Sequence, residues 1–208
     1  CAWDGIRKHL VARYPRHAAK ITTILNGFDP AELEPVPAQR LKVPGPVFLH
    51  AGGFYGPRSP LPLLEALRRS GQQLTGAFVL VGPGSYKGQA LSDLVAQYGV
   101  DDQVHIVPRV AHRESLGLIK GTDVAMLFGQ SGNEALASIP AKAYEYIGLR
   151  KPVLAIGAGR EVCEVMRRGG CPVWSVPADN PDALGKAIDE IKRFLGGTPP
   201  PPIQPCAP

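Results

Sequence analysis

From about residue 44 onward, the chain alternates short apolar runs with amphipathic stretches. The apolar runs are rich in Val, Ile and Leu, and most are continuous rather than alternating. That pattern is typical of strands buried on both faces of a sheet. The runs are PVFLHA (46–51), AFVLVG (77–82), VHIVP (104–108), DVAMLF (123–128), PVLAI (152–156) and PVWSV (172–176).

Helical patterns fill the gaps between these runs. They lie at about residues 60–70, 87–99, 112–121, 139–149, 159–168 and 180–195. In the first of them, Leu61, Leu64 and Leu67 recur every third residue and mark one buried face. Strands and helices that alternate with short connections predict an α/β fold, a doubly wound parallel sheet of about six strands. Ligands of such sheets bind beyond the carboxyl ends of the strands, so the loops there are the candidates for function.

The two ends of the chain differ from this central region. Residues 1–45 contain a helix-like stretch, a predicted strand over 21–25 and a Pro-rich connector. We interpret them as the end of a further N-terminal domain and its linker. Residues 46–196 form the predicted ligand-binding domain. Residues 197–208 hold six prolines and predict an extended or disordered tail.

Composition narrows the class of protein. The net charge of +5 comes from basic residues spread along the chain, so we expect no nucleic-acid partner. The four cysteines form no C-x-x-C pair and the five histidines lack metal-ligand spacing, which predicts thiols and no metal site. Reduced thiols indicate a cytoplasmic protein, and no apolar run approaches the roughly 18 residues that a membrane span needs.

The loop after the first predicted strand reads GGFYGPRSP (52–60). Gly52 and Gly53 let the backbone come close to a ligand, and Arg58 offers a two-pronged donor for phosphate. The alternative is that the glycines only permit a tight turn. The second strand ends in Gly82 rather than in an acidic residue, which argues against a nicotinamide-dependent dehydrogenase.

The most informative segment is GQSGNEALASIPAKAYEYIGLRKP (129–152). It predicts a helix from about Ile139, with Ser138 as the N-cap and Pro140 in the first turn. Lys142 and Glu145 share one face of that helix, where an ammonium suits phosphate and a carboxylate suits ribose hydroxyls. The alternative is an ordinary surface Lys–Glu pair.

These segments resemble a known family. IPAKAYEYIGLRKPVLA (139–155) resembles the I-P-x-K-x-x-E-Y-x-x-x-x-K-P-V-L-A stretch of retaining glycosyltransferases with the GT-B fold, the family 4-like, group 1 enzymes. ITTILNGFD (21–29) resembles the strand end that joins the two halves of those enzymes. The loop from Gly52 to Arg58 and the following LLEAL (63–67) resemble their first donor-domain loop and helix. The resemblance covers roughly residues 20–195 in the expected order.

The resemblance implies that this chain is the Rossmann-like, C-terminal donor half of a GT-B enzyme. It implies two catalytic cations, Arg58 and Lys142, which neutralise the donor diphosphate beside Gly52 and Gly53. Glu145 holds the ribose in this interpretation. The backbone of Pro140 and Ala141 faces the phosphate or sugar, and the base lies near Gly82 and Arg109.

One position departs from the family pattern. The first glutamate of the E-x7-E motif falls on Ala137, eight residues before Glu145. Ser131, Asn133 and Glu134 are the candidates to replace it, and Asn133 is the substrate-binding residue that we select.

The resemblance also implies partners. The donor is a nucleotide-diphosphate sugar, and no cofactor or metal is expected. A glycan, lipid or small-molecule acceptor is held by an N-terminal domain, at the inner face of the membrane or in peripheral contact with it. Two alternatives stay open: a non-catalytic nucleotide-binding module of the same fold, and a sugar-nucleotide epimerase.

Overall fold

The structure is a computed structural model, and it describes residues 1–56, 58–82, 84–129 and 139–199. The strands within those residues are β1 (Val47–Ala51), β2 (Ala77–Val81), β3 (Ser85–Tyr86), β4 (Gln89–Ala90), β5 (Val104–Val107), β6 (Val124–Phe128), β7 (Val153–Ile156) and β8 (Val173–Val176). The α-helices are α1 (Asp4–Arg13), α2 (Pro30–Leu33), α3 (Leu61–Ser70), α4 (Leu91–Tyr98), α5 (His112–Gly121), α6 (Ala141–Gly148), α7 (Arg160–Arg168) and α8 (Pro181–Leu195). Short 3₁₀ turns cover Pro15–Lys20 and Gly71–Gln73.

Six of the strands form one sheet in the order β5-β2-β1-β6-β7-β8, and every neighbouring pair is parallel. Each begins and ends within one residue of its predicted bounds. Strands β1, β2, β6 and β7 are buried at every position, because helices cover both faces of the sheet. The predicted doubly wound parallel sheet is confirmed.

Two hydrophobic layers enclose the sheet, one on each face. Successive side chains of a strand point to opposite faces. Phe48 of β1 therefore packs in the layer formed with α3, α4 and α8. Its neighbour Leu49 packs in the layer formed with α5, α6 and α7, which also takes Trp3 from the N-terminal segment.

Two local predictions were wrong. The segment 21–25 forms no strand, because no strand of the described chain pairs with it. The Ile24 N–H donates instead to the carbonyl oxygen of Cys1 at 2.8 Å. The predicted helix over 87–99 begins only at Leu91. The residues before it form the β3–β4 hairpin, because Lys87 and Gly88 take the positive φ values, 49° and 83°, of a tight two-residue turn.

The connector before β1 is packed against α5. We call residues 30–43 the strap. Leu33 and Val36 pack against Leu116 in a small apolar cluster. Lys120 Nζ donates to three backbone carbonyls of the strap, the shortest at 2.8 Å to Val36 O. The strap is thus held both by apolar contacts and by a lysine.

Other predictions from composition concern only part of the chain. The cysteines within the described residues are thiols rather than disulfides, as the sequence predicts. No helix in the described ranges has the length and apolar character needed to cross a bilayer. Most of the Pro-rich tail lies outside the described residues. The predicted domain boundaries stay a prediction.

Candidate functional site

The sheet opens into a crevice at the carboxyl ends of β1 and β6. These strands pair at only two positions, Phe48 with Val124 and Leu49 with Ala125, whereas β1 pairs with β2 at five. The strand order also reverses here, since the chain runs outward from β1 to β2 and β5 before it returns to β6. Ligands of doubly wound sheets bind at such a switch point, so this crevice is the candidate site.

Where β1 and β6 separate, two side chains donate to a backbone carbonyl that has no partner in the neighbouring strand. His50 Nδ1 and Tyr146 Oη each lie 3.1 Å from the carbonyl oxygen of Met126. A carbonyl oxygen can only accept, so both groups donate to it and Nδ1 carries the imidazole proton. The second ring nitrogen of His50, Nε2, is therefore an acceptor.

The imidazole of His50 is buried and neutral. Burial lowers its pKa to about 3; the positive charge of Lys142 and, more weakly, that of Arg58 add to this effect, while the backbone hydrogen bond opposes it. The ring stacks on Phe54 with the centroids 5.2 Å apart, and it meets Phe128 edge-on at 4.9 Å. The aromatic contacts fix the plane of the ring and keep water from it.

Lys142 reaches across the crevice from α6 and lies on the main chain of Gly52. A Cβ atom at residue 52 would stand 2.4 Å from Lys142 Nζ, so any side chain there would displace the ammonium from this position. Gly52 also has a φ of +133°, which side chains rarely adopt. Burial lowers the pKa of Lys142; Glu145 opposes that shift and Arg58 adds to it. Lys142 is thus a partly desolvated cation beside bare backbone.

Two further glycines lie at the same opening. A Cβ atom at Gly53 would meet nothing within 4 Å in the part of the chain that the structure describes, and one at Gly82 would stand 3.8 Å from Gly52 N. The Gly52 N–H donates to Val81 O and the Gly82 N–H to Val107 O. The first two carboxyl-end loops therefore run side by side, and none of the described residues fills the space above Gly53.

Arg58 lies against Tyr55 at the edge of the crevice. Its guanidinium carbon is 4.6 Å from the centroid of the Tyr55 ring, and Nη1 donates to Tyr55 Oη. The charge of Arg58 lowers the pKa of both Lys142 and His50. Arg58 is thus near enough for its charge to act on Lys142, while the convergence of the two cations on one phosphate site stays a prediction. Among the described residues neither cation forms an ion pair with a carboxylate.

Glu145 lies about one helical turn beyond Lys142. Its charge raises the pKa of the Lys142 ammonium, so the two side chains are neighbours on α6, as the spacing predicts. Its Oε1 is 4.0 Å from Nε2 of His112, the first residue of α5. The Glu145 side chain is 23% exposed, whereas that of His112 is 65% exposed. His112 could not be found from sequence, because the fold brings it here from a separate helix.

The start of α6 lies beside the crevice. The helix begins at Ala141 with Pro140 as its N-cap residue, slightly later than the predicted start near Ile139. Its first turn contains no acidic residue, so the positive end of the helix dipole adds to the charge of Lys142. The predicted N-cap Ser138 lies outside the described residues.

The remaining predicted positions are less informative. Arg109 is exposed in the loop after β5. Asn133, with Ser131 and Glu134, lies outside the described residues. In the described ranges no group of three or more His, Cys, Asp or Glu side chains is placed to hold a metal ion. The expectation of a metal-independent site stays a prediction.

Solved structures share this fold. A glycosyltransferase from Rickettsia africae ESF-5 superposes with a TM-score of 0.70 at 18% identity, over 94% of this chain and 53% of that one. The Anabaena protein HepE, solved in complex with UDP, superposes with a TM-score of 0.61 at 17% identity, over 86% of this chain and 49% of that one. The chain thus has the architecture of one half of a GT-B glycosyltransferase.

The family follows from sequence comparison. Residues 45–193 match the model of the family "Glycosyl transferases group 1", and the chain belongs to that family. It is 30% identical over 179 residues to the D-inositol 3-phosphate glycosyltransferase of Kineococcus radiotolerans, covering 75% of this chain and 41% of that protein. It is 31% identical over 131 residues to the "Probable glycosyltransferase WbjE" of Pseudomonas aeruginosa, covering 59% of this chain and 31% of that protein. The chain therefore spans well under half the length of these curated relatives.

Proposed function

We propose that this chain binds the nucleotide-diphosphate sugar donor of a glycosyl transfer and forms the donor half of a two-domain enzyme. The observation that carries the proposal is the pair of cations, Lys142 on the main chain of Gly52 with Arg58 beside it. Two structural neighbours support the choice of ligand. HepE was solved with UDP and glucose, and the pneumococcal O-GlcNAc transferase GtfA with UDP and GlcNAc.

The two cations bind the diphosphate and act as the catalytic residues. As the sugar leaves, negative charge develops on the diphosphate, and preorganised donors stabilise it most in a site that excludes water. The guanidinium of Arg58 offers paired N–H donors, and the ammonium of Lys142 is a compact charge. The backbone of Gly52 and Gly53 admits the phosphates, and transfer in this mechanism needs no metal.

The start of α6 and the neighbouring loops hold the rest of the donor. Backbone N–H groups near Pro140 and Ala141 face the phosphate or the sugar. Asn133 contacts the sugar in place of the glutamate that the family motif has at position 137. The base lies near Gly82 and Arg109, on the side of the second and third carboxyl-end loops.

Glu145 holds the ribose. Its carboxylate accepts hydrogen bonds from the two ribose hydroxyls, and the mostly buried side chain strengthens such bonds. His112 approaches the same carboxylate from α5 and limits the directions in which it can turn.

The acceptor is bound by an N-terminal domain outside this chain. In residues 1–45 several large apolar side chains are exposed, with Ile24 at 75% and Leu25 at 51%, and a second domain would cover them. The acceptor is a glycan, a lipid or a small molecule, and transfer takes place in the cytoplasm, at or near the inner face of the membrane.

Calorimetry tests the donor site. UDP, GDP and ADP are titrated against the chain, with the matching monophosphates as controls for the second phosphate. Arg58→Ala and Lys142→Ala should each weaken binding of the preferred diphosphate by about 1.5–3 kcal/mol, as for hydrogen bonds between charged groups. The matched control is Arg69→Ala, which removes an exposed cation that pairs with Glu65 on α3. Unchanged affinity in both site variants would contradict the diphosphate assignment.

An assay on the full-length protein separates the competing functions. Transfer that depends on both donor and acceptor supports the proposal. Donor binding without transfer indicates a non-catalytic nucleotide-binding module. Inversion of a nucleotide sugar in the absence of an acceptor indicates an epimerase.

A further inference from the structure

His50 presents a buried acceptor nitrogen that none of the described residues satisfies. The residue is 3% exposed, and its Nε2 has no hydrogen-bond partner within those residues. Nδ1 donates to Met126 O, so Nε2 carries a lone pair that can accept a hydrogen bond. The opposite tautomer would break the bond to Met126. Buried acceptors are almost always satisfied, because the nitrogen has lost water and must find a replacement donor.

Among the described residues, a candidate donor is the ammonium of Lys142. The Cβ position of Gly52 would lie 2.4 Å from Lys142 Nζ and 4.0 Å from His50 Nε2, so both nitrogens border the same small volume. An ammonium has three donors, and its end rotates freely about a flexible stem. Rotation about that stem can direct one N–H at Nε2.

We propose that His50 is a positioning residue for Lys142, whose ammonium donates to the imidazole Nε2 and is thereby held above Gly52. The Met126 carbonyl fixes the tautomer and thus the direction of the acceptor. The opposite tautomer would direct an N–H at the ammonium and repel it. The remaining N–H groups of Lys142 face the opening, where they are free to bind an anionic ligand.

Histidine fits this position for a chemical reason. The side chain must donate on one side, accept on the other and stay neutral beside two cations, and the neutral imidazole does all three. Phe54 and Phe128 enclose the ring, so its plane is set before any ligand arrives. Lys142 is therefore oriented in the absence of the ligand, which reduces the entropy that binding must overcome.

The contact is tested first without a ligand, by ¹⁵N NMR of the histidine side chains. The His50 signals are assigned by their absence in His50→Gln. The Nδ1-protonated tautomer is expected, and Lys142→Met should move the Nε2 resonance toward that of a free acceptor. Arg69→Met, which removes a distant cation, should leave it unchanged. An Nε2 resonance that does not respond to Lys142→Met would overturn the proposal.

The consequence for binding is tested with a matched pair of variants. His50→Phe and Tyr146→Phe each remove one donor to the Met126 carbonyl and keep an aromatic ring, but only His50→Phe removes the acceptor beside Lys142. His50→Phe should weaken UDP binding about tenfold, equivalent to about 1.4 kcal/mol, whereas Tyr146→Phe should stay within about twofold. His50→Gln keeps an acceptor oxygen and should recover most of the affinity.

The ligand class rests on the proposed function, but the contact between His50 and Lys142 does not. If the wild-type chain binds no nucleoside diphosphate, the proposed function fails and the NMR experiment still decides the contact. Equal losses of UDP affinity in His50→Phe and Tyr146→Phe would show that His50 only supports the fold.

Discussion

Each end of the sheet holds a partly buried lysine, Lys151 at the amino end and Lys142 at the carboxyl end. Burial lowers the pKa of both. Lys151 Nζ donates to the backbone carbonyls of Lys120 and Thr122, at 2.8 and 2.6 Å. Lys142 instead lies on Gly52, and its described surroundings hold no such carbonyl pair. Burial alone therefore does not distinguish a structural lysine from a binding one, whereas the identity of its acceptors does.

The arginines at the two ends repeat this contrast. At the amino end, Arg40 donates twice to the carboxylate of Asp123, at 3.0 Å each, and Asp123 also accepts from the Val47 N–H. At the carboxyl end, Arg58 is held by a phenol ring and hydroxyl and by no carboxylate in the described chain. The charges at the amino end are satisfied within the protein, while those at the carboxyl end are available to a ligand.

The same substitution should therefore have different effects at the two lysines. Lys151→Met keeps the apolar stem but leaves two carbonyls without their donor, so it should lower the free energy of unfolding by about 2–3 kcal/mol. Lys142→Met should change it by less than about 1 kcal/mol, since loss of the single proposed hydrogen bond to His50 is offset by removal of a desolvated charge. Urea denaturation followed by circular dichroism measures both. Comparable losses of stability would remove the distinction.

Acid should act on the two ends in different pH ranges. At the carboxyl end, the folded-state pKa of His50 is about 3, below its ordinary 6.5. Between these values the unfolded chain binds one more proton than the folded one, so stability falls as pH falls. At pH 5 the loss through His50 should be about 2 kcal/mol. His50→Gln cannot titrate and should show a flatter dependence between pH 6.5 and 5.

At the amino end, Asp123 should respond only to stronger acid. Burial would raise its pKa, but the hydrogen bonds from Arg40 and from the Val47 N–H outweigh burial and lower it. Its contribution is therefore complete above the ordinary carboxyl range and is lost below about pH 4. Urea denaturation at a series of pH values, for wild type, His50→Gln and Asp123→Asn, separates the two ranges. An unchanged slope above pH 5 in His50→Gln would contradict the neutral buried imidazole.

Two adjacent glycines sharpen the comparison within the carboxyl end. Gly52→Ala places a methyl group on Lys142 Nζ at a positive φ, so it should cost about 1–2 kcal/mol of stability. Gly53→Ala adds a methyl group that contacts none of the described residues, so it should leave thermal stability unchanged while it obstructs the diphosphate. Thermal melts measure the stability of both variants, and calorimetric titration measures their affinity for UDP. A stable Gly52→Ala protein with full UDP affinity would argue against the close approach of Lys142.

The smallest expected effect concerns Glu145. Wild type should bind a 2′-deoxy nucleoside diphosphate about fivefold more weakly than the ribose form, which corresponds to about 1 kcal/mol. Glu145→Gln should bind the two nearly equally, because the mutation and the missing hydroxyl remove the same contact. Calorimetry on the two proteins with each of the two ligands gives the four affinities of this double-mutant-style cycle. Equal discrimination by both proteins would show that Glu145 is a surface carboxylate paired only with His112.

The fold was predictable from sequence because its determinants are local. A short continuous run such as AFVLV is typical of a strand covered on both faces, and six such runs that alternate with helical patterns predict the sheet. The segment 21–25 has similar residues and was predicted wrongly, since a strand needs a partner and the described chain supplies almost none. Lys87 and Gly88 were assigned to a helix because hairpin turns depend on backbone angles that the apolar pattern does not encode.

The candidate site was only partly predictable. Lys142 and Glu145 lie on one helix, so their spacing places them together, and the glycines of the first loop predict an open backbone. His50 was treated as one more strand residue. Its tautomer depends on the divergence of β1 from β6, a property of strand pairing that no single run contains. His112 reaches Glu145 only through the packing of α5 against the sheet.

The strap shows that the smallest unit able to fold begins well before the first strand of the sheet. Gly121 is the last residue of α5, and a Cβ atom there would stand 2.3 Å from Gln39 O. The strap therefore packs against α5 so closely that a side chain at residue 121 would collide with it. A protein cut at residue 46, where the apolar pattern starts, would expose Leu116 and leave Asp123 without Arg40. Shortened versions of the protein for expression, crystallisation or domain exchange should therefore begin at or before Asp29, which caps α2.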